Sequence, residues 1–186
     1  MSTAERFDRA DFEVSAQKRA ERVDAPVLVR TTAASMSSQK PMWPILGLQV
    51  ASLGDGIMPD RRGRPHEGID LHAPAGTEVF AARAGRVLRV VDGRMSKREA
   101  LHRAGLFVDV LGADALIYRY LHLGSAAAMP GTDIQQGDPI GIVAEPHTSG
   151  LGSRPHIHFE IRRSDGSKSG YGVAINPLRL LPKLNS

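Results

Sequence analysis

The chain has 186 residues, 41% hydrophobic and 24% charged, with a formal net charge of +4 and no cysteine. That length suits one domain with a core of its own plus a tail. The absent cysteines exclude disulfides, thiolate metal sites and cysteine nucleophiles, so any metal falls to His, Asp or Glu.

Residues 1–40 read as a charged N-terminal arm or linker. Acidic and basic residues mix densely up to Asp24, and the small polar run TTAASMSSQK follows. Phe7, Phe12 and Val14 are the only early apolar anchors, so the segment is expected either as a short helix over Ala10 to Val23 or as disordered chain. The opening MSTAERFDRADFEV lacks the basic and apolar regions of a secretory signal. No apolar run approaches the roughly 18 residues of a transmembrane helix. The basic residues are scattered and form no stripe, which argues against nucleic-acid binding and fits a solvated surface.

A domain over 41–186 is expected to begin at Pro41-Met42-Trp43-Pro44, where short apolar runs separated by Gly and Pro take over. Strands are predicted over Thr77 to Ala82, Gly85 to Val91, Leu106 to Leu111, Ala115 to Leu121, Pro139 to Ala144 and His156 to Arg162. Each is short, rich in β-branched or aromatic residues, and bounded by turn residues such as Asp92-Gly93 and Gly137-Asp138. The one helical patch is Ser96 to Arg103, with Ser96 as its cap and Glu99 three residues on. The pattern predicts a mainly β domain, a sandwich or folded antiparallel sheet.

Three histidine motifs lie along this scaffold. In His66-Glu67-Gly68-Ile69-Asp70 the preceding Pro65 and the interrupting Gly68 argue against a helix, and a straight strand rising ~3.3 Å per residue holds His66 and Asp70 too far apart to share an ion. Convergence requires a bend at Gly68, which glycine permits at low steric cost. In His156-Ile157-His158 the two imidazoles project from one strand face while Ile157 and Phe159 pack behind. His122 is expected at the end of a strand, before the Gly124-Ser125 turn. Without cysteine, a catalytic zinc wants three His or carboxylate ligands and one open position, and His66, Asp70 and His158 would supply them. One carboxylate leaves the ion net positive, which acidifies water and polarises an amide carbonyl. His122 and His156 would flank the reacting water as base and as oxyanion stabiliser or acid.

These motifs, in RPHEGIDLHAPAGTEVFAARAGRVLRV, IYRYLHLGS, QQGDPIGIVAEPHTSGLGSRPHIHFEIR and the closing NPLRLL, resemble the lysostaphin/LytM-type zinc endopeptidases, peptidase family M23. The resemblance covers roughly residues 42–182. It implies an antiparallel β scaffold of the duplicated hybrid motif type, with a groove floored by Zn2+. It implies His66, Asp70 and His158 as metal ligands and His122 and His156 as the catalytic pair. The implied activity is hydrolysis of peptide bonds in peptidoglycan cross-links or stem peptides, at the cell wall or periplasm. Some relatives have lost ligands and serve as activators of other wall hydrolases, so a non-cutting wall-binding or hydrolase-activating module is the alternative. The lack of a leader in this chain also motivates delivery by another route, such as a phage tail or contractile injection particle docked through residues 1–40.

Two loops depart from the resemblance. MSKREALHRAG, before the His122 strand, is long where a short Gly-rich turn is usual. EPHTSGLGSRPH, before His156, is enlarged and carries an extra His147. Both are expected to border the groove and bear on substrate preference. Arg154 and Arg162 read as surface arginines, with contact to substrate carboxylates as the alternative, and His72, His102 and His147 as bystanders, with His72 in reach of a supporting role beside Asp70. Glu67 and Glu160 are expected to point to the opposite face from their histidine neighbours.

Overall fold

Alternation along the strands fixes which face each side chain takes. In the computed structural model, which describes residues 39–48, 66–150, 152–164 and 172–184, nine strands form one antiparallel sheet. All the described residues fall in one unit spanning 32–186. The predicted arm helix over Ala10 to Val23 lies outside them.

The strands are β1 (Ile69–His72), β2 (Glu78–Phe80), β3 (Gly85–Asp92), β4 (Leu106–Gly112), β5 (Leu116–Ala126), β6 (Asp133–Ile134), β7 (Pro139–Val143), β8 (His156–Arg163) and β9 (Val173–Ile175). They order as β1-β8-β5-β4-β3-β6, with β9 beside β8, and with β7 pairing both β5 and β2. The predicted mainly β antiparallel fold is therefore what the chain adopts. The six predicted strands are all present, while the short β1, β6 and β9 carry too little alternation to be picked out.

On one face of β8, Ile157, Phe159 and Ile161 are fully buried, and Tyr118 and Tyr120 of β5 join them. Each such side chain contributes about 2–3 kcal/mol relative to exposure. The Tyr120 hydroxyl meets its polar requirement by accepting from the Ala82 N–H at 2.8 Å. The other face of β8 carries His156, His158, Glu160 and Arg162.

Two expectations are corrected here. β5 does not end before His122. It runs on to Ala126, and at His122 it passes from β8 to β7: Leu121 pairs with His158, and Leu123 with Val143. The backbone marks the change with a register shift and a left-handed His122, φ 62°. Through this switch Val79, Ile140 and Val143 of β2 and β7 join Tyr120, Ile157 and Phe159 in one core. The helix, α1, spans Glu99–Ala104 and not Ser96 to Arg103, and Ser96 does not cap it. The Ser96 hydroxyl accepts from the Arg98 N–H at 3.1 Å, closing a turn two residues long just ahead of the helix.

Candidate metal centre and its groove

Strand register places the candidate ligands. β1 and β8 run antiparallel with Asp70 opposite His158 and His72 opposite His156, so all four share the face away from the core. The chain bends at Gly68, as the spacing of His66 and Asp70 demands. The need for glycine there is close approach more than conformational freedom. A Cβ at Gly68 would lie 2.4 Å from the Phe159 carbonyl oxygen and 2.7 Å from His158 Nε2.

Asp70 Oδ1 is the meeting point. It lies 3.2 Å from His66 Nε2 and 2.8 Å from His158 Nδ1. One ligand atom from each of His66, Asp70 and His158 falls within 4.8 Å of the others. Ligand atoms about 2.05 Å from a tetrahedral ion stand roughly 3.3 Å apart. The three groups thus fit a zinc ion in donor type and in spacing. Burial opposes charge on Asp70, but hydrogen bonds from His158 and His66 outweigh it and hold the carboxyl well below the usual carboxylate range.

The other two histidines stand beside this cluster. The ring centroids of His122 and His156 are 5.0 Å apart, and those of His122 and His158 6.2 Å. His156 Nδ1 is 2.7 Å from the Arg154 carbonyl. A carbonyl only accepts, so the proton sits on Nδ1 and Nε2 faces the site, 3.9 Å from Asp70 Oδ1. His122 is half-buried, and its Nδ1, shielded from solvent, has no well-aligned hydrogen-bond partner among the described residues. Burial, reinforced by the neighbouring His156 and His158, lowers its pKa to about 3, so the ring is neutral at neutral pH. Gly150 lets the loop before β8 close over it: a Cβ there would lie 2.2 Å from His122 Nδ1, at a left-handed φ of 76°.

His158 is held from both sides. Its Nε2 lies 3.2 Å from Glu160 Oε1. Burial alone would lower its pKa, but hydrogen bonds to Asp70 and Glu160 overcome that and push it up to about 9. Glu160 is therefore not on the opposite face, as expected from adjacency. It is two residues from His158, and even spacing returns it to the same side.

Arg162 is likewise no surface residue. It is 2% exposed and donates to Glu160 at 2.7 Å and to Glu67 at 3.1 Å. Behind them Arg119 binds Asp109 through two hydrogen bonds, of 2.7 and 3.0 Å, and Arg89 adds a third at 2.6 Å. This buried ionic network was missed in the sequence. Its signal is a lone charge inside each of three apolar strands: Asp109 in FVDVL, Arg119 in IYRYL, Glu160 in HFEI.

Residues 64–177 match the model of Peptidase family M23. The chain belongs to this family. Among curated relatives, it is 30% identical over 135 residues to the murein hydrolase activator EnvC of Escherichia coli, covering 73% of this chain and 27% of that protein. It is 29% identical over 101 residues to the peptidoglycan DD-endopeptidase ShyA of Vibrio cholerae, covering 54% and 21%. The chain thus spans about a quarter or less of these two relatives. Among solved structures, the catalytic domain of lysostaphin from Staphylococcus simulans superimposes with a TM-score of 0.56 at 23% identity, over 68% of this chain and 89% of that one. A variant catalytic domain of the prophage-encoded M23 protein EnpA from Enterococcus faecalis gives 0.52 at 30% identity, over 66% and 83%.

In this M23 chain the five predicted site residues line one cavity of about 610 Å³. His72 lines it too, its ring 5.5 Å from that of His156, so it stands nearer the centre than a bystander. His102 and His147 do not line it. His102 is exposed and bonds the Arg94 carbonyl at 2.9 Å, and His147 is an exposed loop residue.

The two departing loops build the cavity walls, as expected. α1 docks on the site face of the sheet, where Ala104 packs with Phe107 and Leu121 and is flanked by Leu101 and Val91. Ala100, Arg103 and Ala104 line one side of the cavity, and Gly152, Ser153 and Arg154 line another. The walls touch: Ser149 Oγ accepts from the Leu106 N–H at 2.9 Å in a buried hydrogen bond.

Proposed function

We propose that the chain is a zinc endopeptidase that hydrolyses peptide bonds in peptidoglycan. The observation that carries this reading is the convergence of all five residues, His66, Asp70, His158, His122 and His156, on one cavity. His66, Asp70 and His158 would hold the metal. When bound, zinc would acidify water and polarise the scissile carbonyl.

The chain's own groups supply the proton traffic. His156 offers Nε2, its other nitrogen being committed to the Arg154 carbonyl, and takes a proton as water oxygen bonds to the carbonyl carbon. His122, kept neutral by burial, hydrogen-bonds the carbonyl oxygen as negative charge develops there. The C–N bond breaks as the proton on His156 passes to the leaving amine. The place of action would be the cell wall or periplasm. Delivery by a particle rests on residues 1–40, nearly all outside the described residues.

The test is digestion of purified, dye-labelled peptidoglycan of several wall types by the zinc-loaded chain, with mass analysis of the fragments. Release should stop with chelator and with His122→Ala, while that variant keeps its zinc. Wild-type release from His122→Ala would remove His122 from the mechanism. The similarity to EnvC, a murein hydrolase activator, favours a second reading in which the groove binds wall peptides or a hydrolase without cutting. Zinc bound with no new peptide termini from any wall would support it.

A further inference from the structure

The charges lining the cavity do not cancel at its rim. Six lining residues carry formal charge: Glu67, Asp70, Glu160, Arg103, Arg119 and Arg154. Asp70 is turned to His66 and His158. Glu67 and Glu160 are both bound by Arg162, and Arg119 is bound by Asp109. What remains is cationic. Arg154 is exposed and has no carboxylate partner among the described residues. Among the described residues Arg103 pairs only with Glu99 Oε1, at 3.8 Å, and Glu99 is 83% exposed, a contact that water and salt readily replace.

These two arginines come from the two loops that depart from the family pattern, and the backbone of each is tied into a cavity wall. Arg154 is anchored through its carbonyl to His156. Arg103 is a residue of α1, whose carbonyl would lie 2.5 Å from a Cβ at Gly150, so the two walls meet at backbone distance. Both arginines thus stem from backbone that borders the candidate centre, and both line its cavity. A planar guanidinium matches a carboxylate in a way an ammonium does not.

Building on the endopeptidase reading, we infer that Arg103 and Arg154 select peptides bearing a free carboxylate near the scissile bond. Stem peptides have such groups, whereas bridges made of neutral residues do not. The arginines set affinity and touch none of the reacting atoms. Their effect therefore falls on KM more than on kcat.

The experiment compares stem-peptide dimers whose glutamyl carboxylate is free or amidated, using the zinc-loaded full chain and the double variant Arg103→Gln/Arg154→Gln. The free-carboxylate dimer should be cut with about tenfold higher kcat/KM. That advantage should shrink as salt rises and vanish in the double variant, mostly through KM. Equal rates on both dimers, or an advantage that survives the double variant, would overturn the inference. Calorimetric titration of His122→Ala with the same dimers separates this result from the peptidase reading. Tighter binding of the free-carboxylate dimer without any cleavage by wild type would support the arginines and refute the peptidase. No preference in binding or in cleavage would refute the arginines.

Discussion

His158 has a carboxylate at each ring nitrogen, Asp70 at Nδ1 and Glu160 at Nε2. The second contact sets which nitrogen is free to bind a metal. A metal would displace the Nδ1 proton that His158 shares with Asp70, and with the Nε2 proton still directed at Glu160 the freed Nδ1 lone pair would face the ion, the arrangement in which an outer carboxylate orients a histidine ligand. Glu160→Gln keeps an acceptor of the same shape and removes the charge. Zinc affinity of that variant, measured by competition with a chelator, should fall about tenfold, while the melting curve keeps its cooperativity. Unchanged affinity would show that Glu160 serves only the buried arginines. Alanine is the poorer test, because it would leave Arg162 and Arg119 short of a partner, a loss worth about 3–5 kcal/mol in a buried network.

At the scale of elements, the site depends on how β1 lies against β8. Gly68 sits where the bend before β1 crosses β8, and a methyl group there meets a backbone oxygen that cannot move aside. Gly68→Ala should cost about 1–3 kcal/mol in thermal unfolding and should also weaken zinc binding, since His158 Nε2 is the next atom in its path. A stable variant with intact zinc affinity would mean that β1 can shift without disturbing Asp70. Most of these elements were legible. The alternation in HIHFEIR, ALIYRYL and LFVDVL marks β8, β5 and β4 because each strand has a fully apolar face. His122 was not placed correctly, because a strand that changes partner through a left-handed residue has the local appearance of a strand that stops.

For the molecule as a whole, the candidate ligands tie β1 and the segment before it to β8, 88 positions away in sequence at the Asp70–His158 contact. A ligand that binds only the folded chain stabilises it by mass action. Zinc at about 1,000 times its Kd would add about 4 kcal/mol, a rise in Tm of roughly 10 °C for a unit of this size. Melting in excess zinc and in chelator should differ by that order, and Asp70→Ala should abolish the difference. A shift of the same size in Asp70→Ala would place the stabilising ion elsewhere.

The sequence by itself determined the family, the β class and the five residues of the candidate site, because motif spacing and strand alternation are local properties. Even the side taken by Glu160 was there in the count of two from His158. Only the tertiary structure decided that Asp109, Arg119, Glu160 and Arg162 form one buried network, since that depends on the register of β4, β5 and β8. The loop was expected at the groove, but only the tertiary structure decided where its helix docks. A six-residue helix has no preferred site until Phe107 and Leu121, brought together by strand pairing, offer Ala104 an apolar surface to cover.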